Sequence, residues 1–110
     1  MSCFPLKKDG TDIIIENKTN STLKNITITT SEMVRTIYVD SIDKEKSLTK
    51  FLSMKNNKTD GTYIISYEIN DITKQVKNGY YTNGGSLNSS IKFIIEKDTT
   101  LVKFGKMKIY

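Results

Sequence analysis

Apolar and polar positions alternate with a period of two along most of this chain, which is the pattern of half-buried strands rather than helices. The clearest case is the stretch in which Tyr63, Ile65, Tyr67 and Ile69 share one face and Ile64, Ser66 and Glu68 the other. After Asn70-Asp71 the alternation resumes at Ile72, Lys74 and Val76. Asn and Asp tolerate the positive φ of a two-residue hairpin turn, so 62–77 is predicted as a β-hairpin. Downstream, Ile91, Phe93 and Ile95 line one face of a strand, a Lys97-Asp98 turn follows, and 100–104 is the next strand. Gly105 breaks it, with Met107 and Ile109 continuing the alternation.

The first half reads less evenly. A short strand is predicted over 11–16, followed by a turn cluster, Asn17-Lys18-Thr19-Asn20-Ser21, of residues that bond their own backbone. In the next strand, 22–29, Ile26 and Ile28 are in phase and Leu23 is not, which predicts a bulge near Asn25. A third strand covers 34–40, where Ile37 and Val39 alternate with Thr36 and Tyr38. The stretch 47–54 fits a strand through Leu48, Leu52 and Met54 or a helical turn through Leu48, Phe51 and Leu52, with the strand favoured. Segments 56–61 and 78–88 read as loops, the second carrying two Asn-Gly steps.

Short strands spaced by turns, with no helical pattern between them, predict an all-β domain: an antiparallel, immunoglobulin-like sandwich of about seven or eight strands. The likeness to immunoglobulin domains is architectural, because the chain has one Cys and no Trp. The alternative is a small OB-like β-barrel. The expected core is Ile13, Ile15, Ile26, Ile28, Ile37, Val39, Ile65, Tyr67, Ile91, Phe93 and Ile95. Residues 1–10 form a flexible segment or tether, and 11–110 the single domain.

Composition sharpens this reading. With 15 Ile, 14 Thr and 6 Tyr against 6 Leu and no Ala, the chain is rich in strand formers and poor in helix formers. The absence of His removes an imidazole base, a Ser-His-Asp or Cys-His pair and any His-ligated metal. A lone Cys leaves no internal disulfide, thiolate zinc site or two-cysteine redox motif. Asp40, Asp43, Glu45 and Asp60 could offer oxygens to Ca²⁺, but Lys44 and Lys46 interrupt them and the distal Glu of an EF-hand is missing, so they read as solvated loops. No catalytic residues, metal or cofactor are assigned.

Charge is unevenly placed. The net charge is +5, and residues 72–110 carry 7 Lys against 2 acids, so the excess falls in the last third. Lys74, Lys77, Lys92, Lys97, Lys103, Lys106 and Lys108 flank Tyr80 and Tyr81 there, a basic and aromatic mixture that single-stranded nucleic acid could use. Arg is nearly absent and edge lysines also discourage strand pairing, so a solvated face is the preferred reading and nucleic acid the alternative. Asn17, Asn20, Asn25, Asn57 and Asn88 match the glycosylation acceptor pattern, which chance supplies in a chain so rich in Asn, Ser and Thr.

Two features point to binding rather than catalysis. The loop with Tyr80, Tyr81 and Asn83 combines length, paired aromatics and glycines, and is the expected recognition surface for another protein or a cell-surface component. Ser2-Cys3 resembles the end of a bacterial lipobox, which would make Cys3 a lipid attachment point, residues 4–10 its tether, and the membrane a partner only through that lipid. On this reading the protein is a non-catalytic binding or structural module, extracytoplasmic if a signal peptide has been removed ahead of Cys3 and cytoplasmic otherwise.

Overall fold

The computed structural model describes residues 10–54, 57–82, 85–86 and 89–105. They form nine strands and no helix: β1 (Gly10–Asn17), β2 (Leu23–Thr30), β3 (Ile37–Ile42), β4 (Ser47–Ser53), β5 (Gly61–Ile69), β6 (Ile72–Thr82), the two-residue β7 (Gly85–Ser86), β8 (Ser90–Ile95) and β9 (Thr100–Phe104). Two separate sheets face each other, one in the order β4-β1-β8-β9 and the other β3-β2-β5-β6-β7. This is the predicted all-β sandwich. Strands of one sheet do not continue into the other, so a closed barrel is ruled out for the described residues.

All pairings are antiparallel except one. β1 runs parallel to β8, with Ile13 beside Ile91 and Ile15 beside Phe93, and antiparallel to β4 on its other side. The first long strand therefore occupies the interior of its sheet. From Thr11 onward its odd positions are buried and its even ones half-buried.

The alternation produces the core almost directly. Ile13, Ile15, Ile26, Ile28, Ile65, Tyr67, Ile91, Phe93 and Ile95 are all buried, joined by Leu23, Ile42, Leu52, Met54, Tyr63 and Tyr81. Ile37 and Val39 were expected there but are only half-buried, because β3 lies at the edge of its sheet, with no strand beyond it among the described residues. The bulge expected near Asn25 is present: Asn25 has φ 48°, and the β2–β5 register shifts between Lys24 and Thr27. The extra residue lets Leu23 and Ile26 both face inward.

Turn chemistry also holds. Ile69 pairs with Ile72 across Asn70 (φ 49°) and Asp71 (φ 64°), the double positive φ of a type I′ turn. The ambiguous stretch 47–54 is a strand, held by pairing with β1 from Ser53 opposite Gly10 to Ser47 opposite Glu16. The third strand begins at Ile37 rather than residue 34. Before it, Met33 takes φ 54°, and the Thr29 hydroxyl donates to the Arg35 carbonyl at 2.6 Å, which fixes a turn where a strand was expected.

A buried amide joins the two sheets near one end. Asn17 Nδ2 donates to the Ser21 and Ile42 carbonyls at 2.8 and 2.9 Å, while its Oδ1 accepts from Thr19 N and Thr19 Oγ1. The predicted turn cluster is thus organised around Asn17, whose polar atoms are satisfied although it is fully buried.

Candidate functional site

Residues 78–82, expected to open a loop, belong to a strand. β6 continues through Tyr80 and Tyr81 to Thr82, and Tyr81 pairs with Gly61 of β5 and Ser86 of β7. The cause is a second bulge. Gly79 has φ +83°, and the β5–β6 register shifts between Gly61 and Tyr63. That one-residue slip turns Tyr81 inward and Tyr80 outward. A Cβ on Gly79 would stand 2.8 Å from the Tyr63 ring, so both its conformation and its neighbour call for glycine.

Tyr81 is consequently a core residue rather than a surface contact. It is fully buried, with its ring 5.5 Å from that of Tyr63 and tilted by 55°. Gly61 leaves the room it needs, since a Cβ there would sit 2.4 Å from the Tyr81 hydroxyl. That hydroxyl donates to Glu32 Oε1 at 2.9 Å and accepts from Asn57 Nδ2 at 3.2 Å, and Asn57 Nδ2 also reaches Thr30 Oγ1 at 3.0 Å. Glu32 Oε2 accepts from Lys58 N at 3.0 Å and Thr59 N at 3.3 Å. The Lys58 amide, ahead of the opposing desolvation and then the Tyr81 hydroxyl, lowers the Glu32 pKa from its ordinary value. Tyr80 is half exposed and donates to Asp60 Oδ2 at 3.2 Å. The Asp60 carboxylate raises the Tyr80 pKa by favouring the protonated phenol.

Of the expected recognition residues, Tyr81 thus packs in the core and holds Glu32, while Tyr80 lies half exposed beside Asp60. Asn83 and Cys3 lie outside the described residues, as do Lys106 and Lys108. Asp40 and Asp43 flank the end of β3, Glu45 lies 3.7 Å from Lys18, and Asp60 takes the Tyr80 hydroxyl.

The lysines of the last third do not form one face. Lys92 and Lys103 are paired neighbours on the outer face of the four-stranded sheet, and Lys77 stands beside Ile64 on the outer face of the other. Lys74 is opposite the buried Tyr67. Lys92 is also engaged, 3.1 Å from Glu16, which takes Lys18 at 3.2 Å on its second oxygen. These partners, Lys92 first, lower the Glu16 pKa from its ordinary value.

A different surface has the form of a site. The outer face of the five-stranded sheet holds a trough of about 500 Å³, within the range of about 300–1,000 Å³ common for small-ligand sites. Register builds it. Tyr38, Thr27, Ser66 and Gln75 form one row across β3, β2, β5 and β6, and Thr29, Ile64 and Lys77 form the next. The short side chains of β2 and β5 make the floor, while Tyr38 and Met33 stand on one side and Gln75 and Lys77 on the other. Tyr38 is 77% exposed and Met33 69%.

Part of this surface is fixed internally. The Thr29 hydroxyl is committed to the Arg35 carbonyl and accepts from Thr36 Oγ1 at 3.3 Å, and Gln75 Nε2 donates to Ser66 Oγ at 3.3 Å. Among the described residues, Thr27, Tyr38 and Lys77 make no side-chain hydrogen bond or ion pair, and no carboxylate lines the trough. The sequence singled out Lys77 only as one of the basic residues of the last third, and Thr27 and Tyr38 not at all, because each is the ordinary polar half of an alternating strand. Only the register gathers Tyr38, Thr27, Ser66 and Gln75 into one line.

The described residues define a small two-sheet β-sandwich that carries a mixed polar and aromatic trough on its five-stranded sheet. No protein-family model and no curated protein matches the chain. Its fold is similar to that of an NMR structure of a protein from Eubacterium rectale, with a TM-score of 0.58 over 97% of this chain and 99% of that one. Identity is 16%, so the likeness is one of fold alone.

Proposed function

We propose that the protein is a non-catalytic binding module, extracytoplasmic and anchored through a lipid on Cys3, that contacts a cell-surface component through the trough on its five-stranded sheet. The observation that carries this reading is the set of unengaged groups, the exposed Tyr38 and Lys77 and the half-buried Thr27, placed on edge and interior strands of a hydrogen-bonded sheet. Binding groups held on strands keep their geometry without an ordering cost at the moment of contact.

The test is retention of labelled protein on bacterial cell-envelope fragments, comparing Tyr38→Ala with Tyr80→Ala. Loss with the first and retention with the second supports the trough. Equal retention of both variants removes it as the site. Lipid anchoring is tested separately, by incorporation of a palmitate label that Cys3→Ser abolishes. Nucleic-acid binding, the alternative, requires a single-stranded oligonucleotide to bind at physiological salt with a steep salt dependence. The division of the lysines between opposite faces argues for the binding module instead.

A further inference from the structure

We infer that the trough takes an acidic oligosaccharide, with a sugar ring against Tyr38 and a uronate carboxylate on Lys77. This deepens the reading above and rests on it. Three observations select the ligand class.

The first concerns what the floor does not offer. β2 is paired on both sides, with β3 and β5, and β5 with β2 and β6. Their backbone donors and acceptors are already used, so an extended peptide cannot be read by strand addition across this surface. What remains is side-chain chemistry: the hydroxyls of Thr27 and Ser66, the Gln75 amide and the Tyr38 phenol. Each of these groups both donates and accepts, as sugar hydroxyls do.

The second is the aromatic. Tyr38 combines an apolar ring with a polar tip and is 77% exposed. The ring can cover the C–H face of a pyranose while its hydroxyl bonds at the edge. Met33, beside it in the trough wall, adds apolar surface without a competing charge.

The third is charge. Lys77 is the one charged residue in the trough lining, it has no partner among the described residues, and no carboxylate lines the trough. An anionic group at that position would form a charge-assisted hydrogen bond that no internal acid competes for. A nucleic acid would present a phosphate at every nucleotide to a lining with a single cation, a poor match in number. Tyr38 on β3 and Lys77 on β6 stand three inter-strand spacings apart, roughly 14 Å, which is a span for a short chain of sugars rather than a monosaccharide.

Titration calorimetry of the full chain with hexagalacturonate, and with the same hexamer methyl-esterified, tests this. The acid form is expected to bind, with the ester at least about tenfold weaker, a difference of about 1.4 kcal/mol. Tyr38→Ala and Gln75→Ala should each weaken the acid form by a similar factor. Lys77→Gln should abolish the distinction between acid and ester, and Lys103→Gln, on the opposite face, should change nothing. Equal binding of acid and ester, unaltered binding by Lys77→Gln, or no binding of either at millimolar concentration overturns the proposal. If hexagalacturonate fails while Tyr38→Ala still releases the protein from envelope fragments, the ligand class is wrong and the binding module stands. If both fail, the trough is not a site.

Discussion

The Tyr81 hydroxyl donates to Glu32 Oε1 at 2.9 Å, tying the buried end of β6 to the turn that follows β2. Through its other oxygen the same carboxylate holds the backbone of Lys58 and Thr59. Three segments far apart in sequence meet at one side chain.

Removing the ring and removing the hydroxyl should therefore differ. Tyr81→Ala leaves a cavity beside Tyr63 and is expected to cost about 3–5 kcal/mol. Tyr81→Phe keeps the packing, loses the bond to Glu32, and should cost about 1 kcal/mol. Tyr80→Ala, at a half-exposed position, should leave the urea midpoint nearly unchanged. Urea unfolding of the three variants checks the ranking.

Acid should weaken the contacts made by Glu32. Because the folded pKa of Glu32 lies below its ordinary value of 4.5, its contribution to stability is complete above that value. It is lost as pH falls through the lower folded pKa, where the proton displaces the charge that the Lys58 amide holds. Glu16, lowered by Lys92 and Lys18, acts in the same direction. The urea midpoint should fall as the pH drops below about 4.5, and Glu32→Gln should make that fall shallower while lowering the midpoint at pH 7.

The way these elements became visible differs from residue to residue. The 69–72 hairpin and the Asn25 bulge were legible because their signals are local: a turn pair that accepts positive φ, and a Leu23 that falls out of phase. The bulge at Gly79 was not, since Asn78-Gly79 reads equally well as a turn, and only pairing with β5 shows that the strand continues to Tyr81. The half-burial of Ile37 and Val39 depends on which strand ends at a sheet edge, a tertiary fact. The trough was hidden for a similar reason, since its parts come from four strands.

Gly79→Ala provides a direct test of that second bulge. It forces an L side chain to φ +83° and pushes a Cβ toward the Tyr63 ring, so a loss of about 1–3 kcal/mol is expected. Asn at this position tolerates positive φ better but brings a larger side chain against the ring, so Gly79→Asn should not restore stability. Thermal unfolding of the two variants beside the parent measures both effects.

Asn17→Ala should be among the most damaging polar substitutions in the chain. It strands the Ser21 and Ile42 carbonyls and the Thr19 amide in a buried setting, for a loss of about 2–3 kcal/mol. Asn17→Asp should be worse at neutral pH than in mild acid, because a carboxylate would face two carbonyl oxygens where the amide now donates. Denaturation midpoints at pH 7 and pH 5 separate the two cases.

The position of β1 has a kinetic consequence. Ile13 and Ile15 belong to the first of the described strands, yet their parallel neighbours, Ile91 and Phe93, belong to β8, the second-last of them. During synthesis β1 can pair with β4 but cannot complete its sheet until β8 has left the ribosome. Pairings so distant in sequence fold slowly, because the loop must close before the contact rewards it. Until β8 arrives, one edge of β1, with Ile13, Ile14 and Ile15 along it, remains open to any other strand that reaches it first.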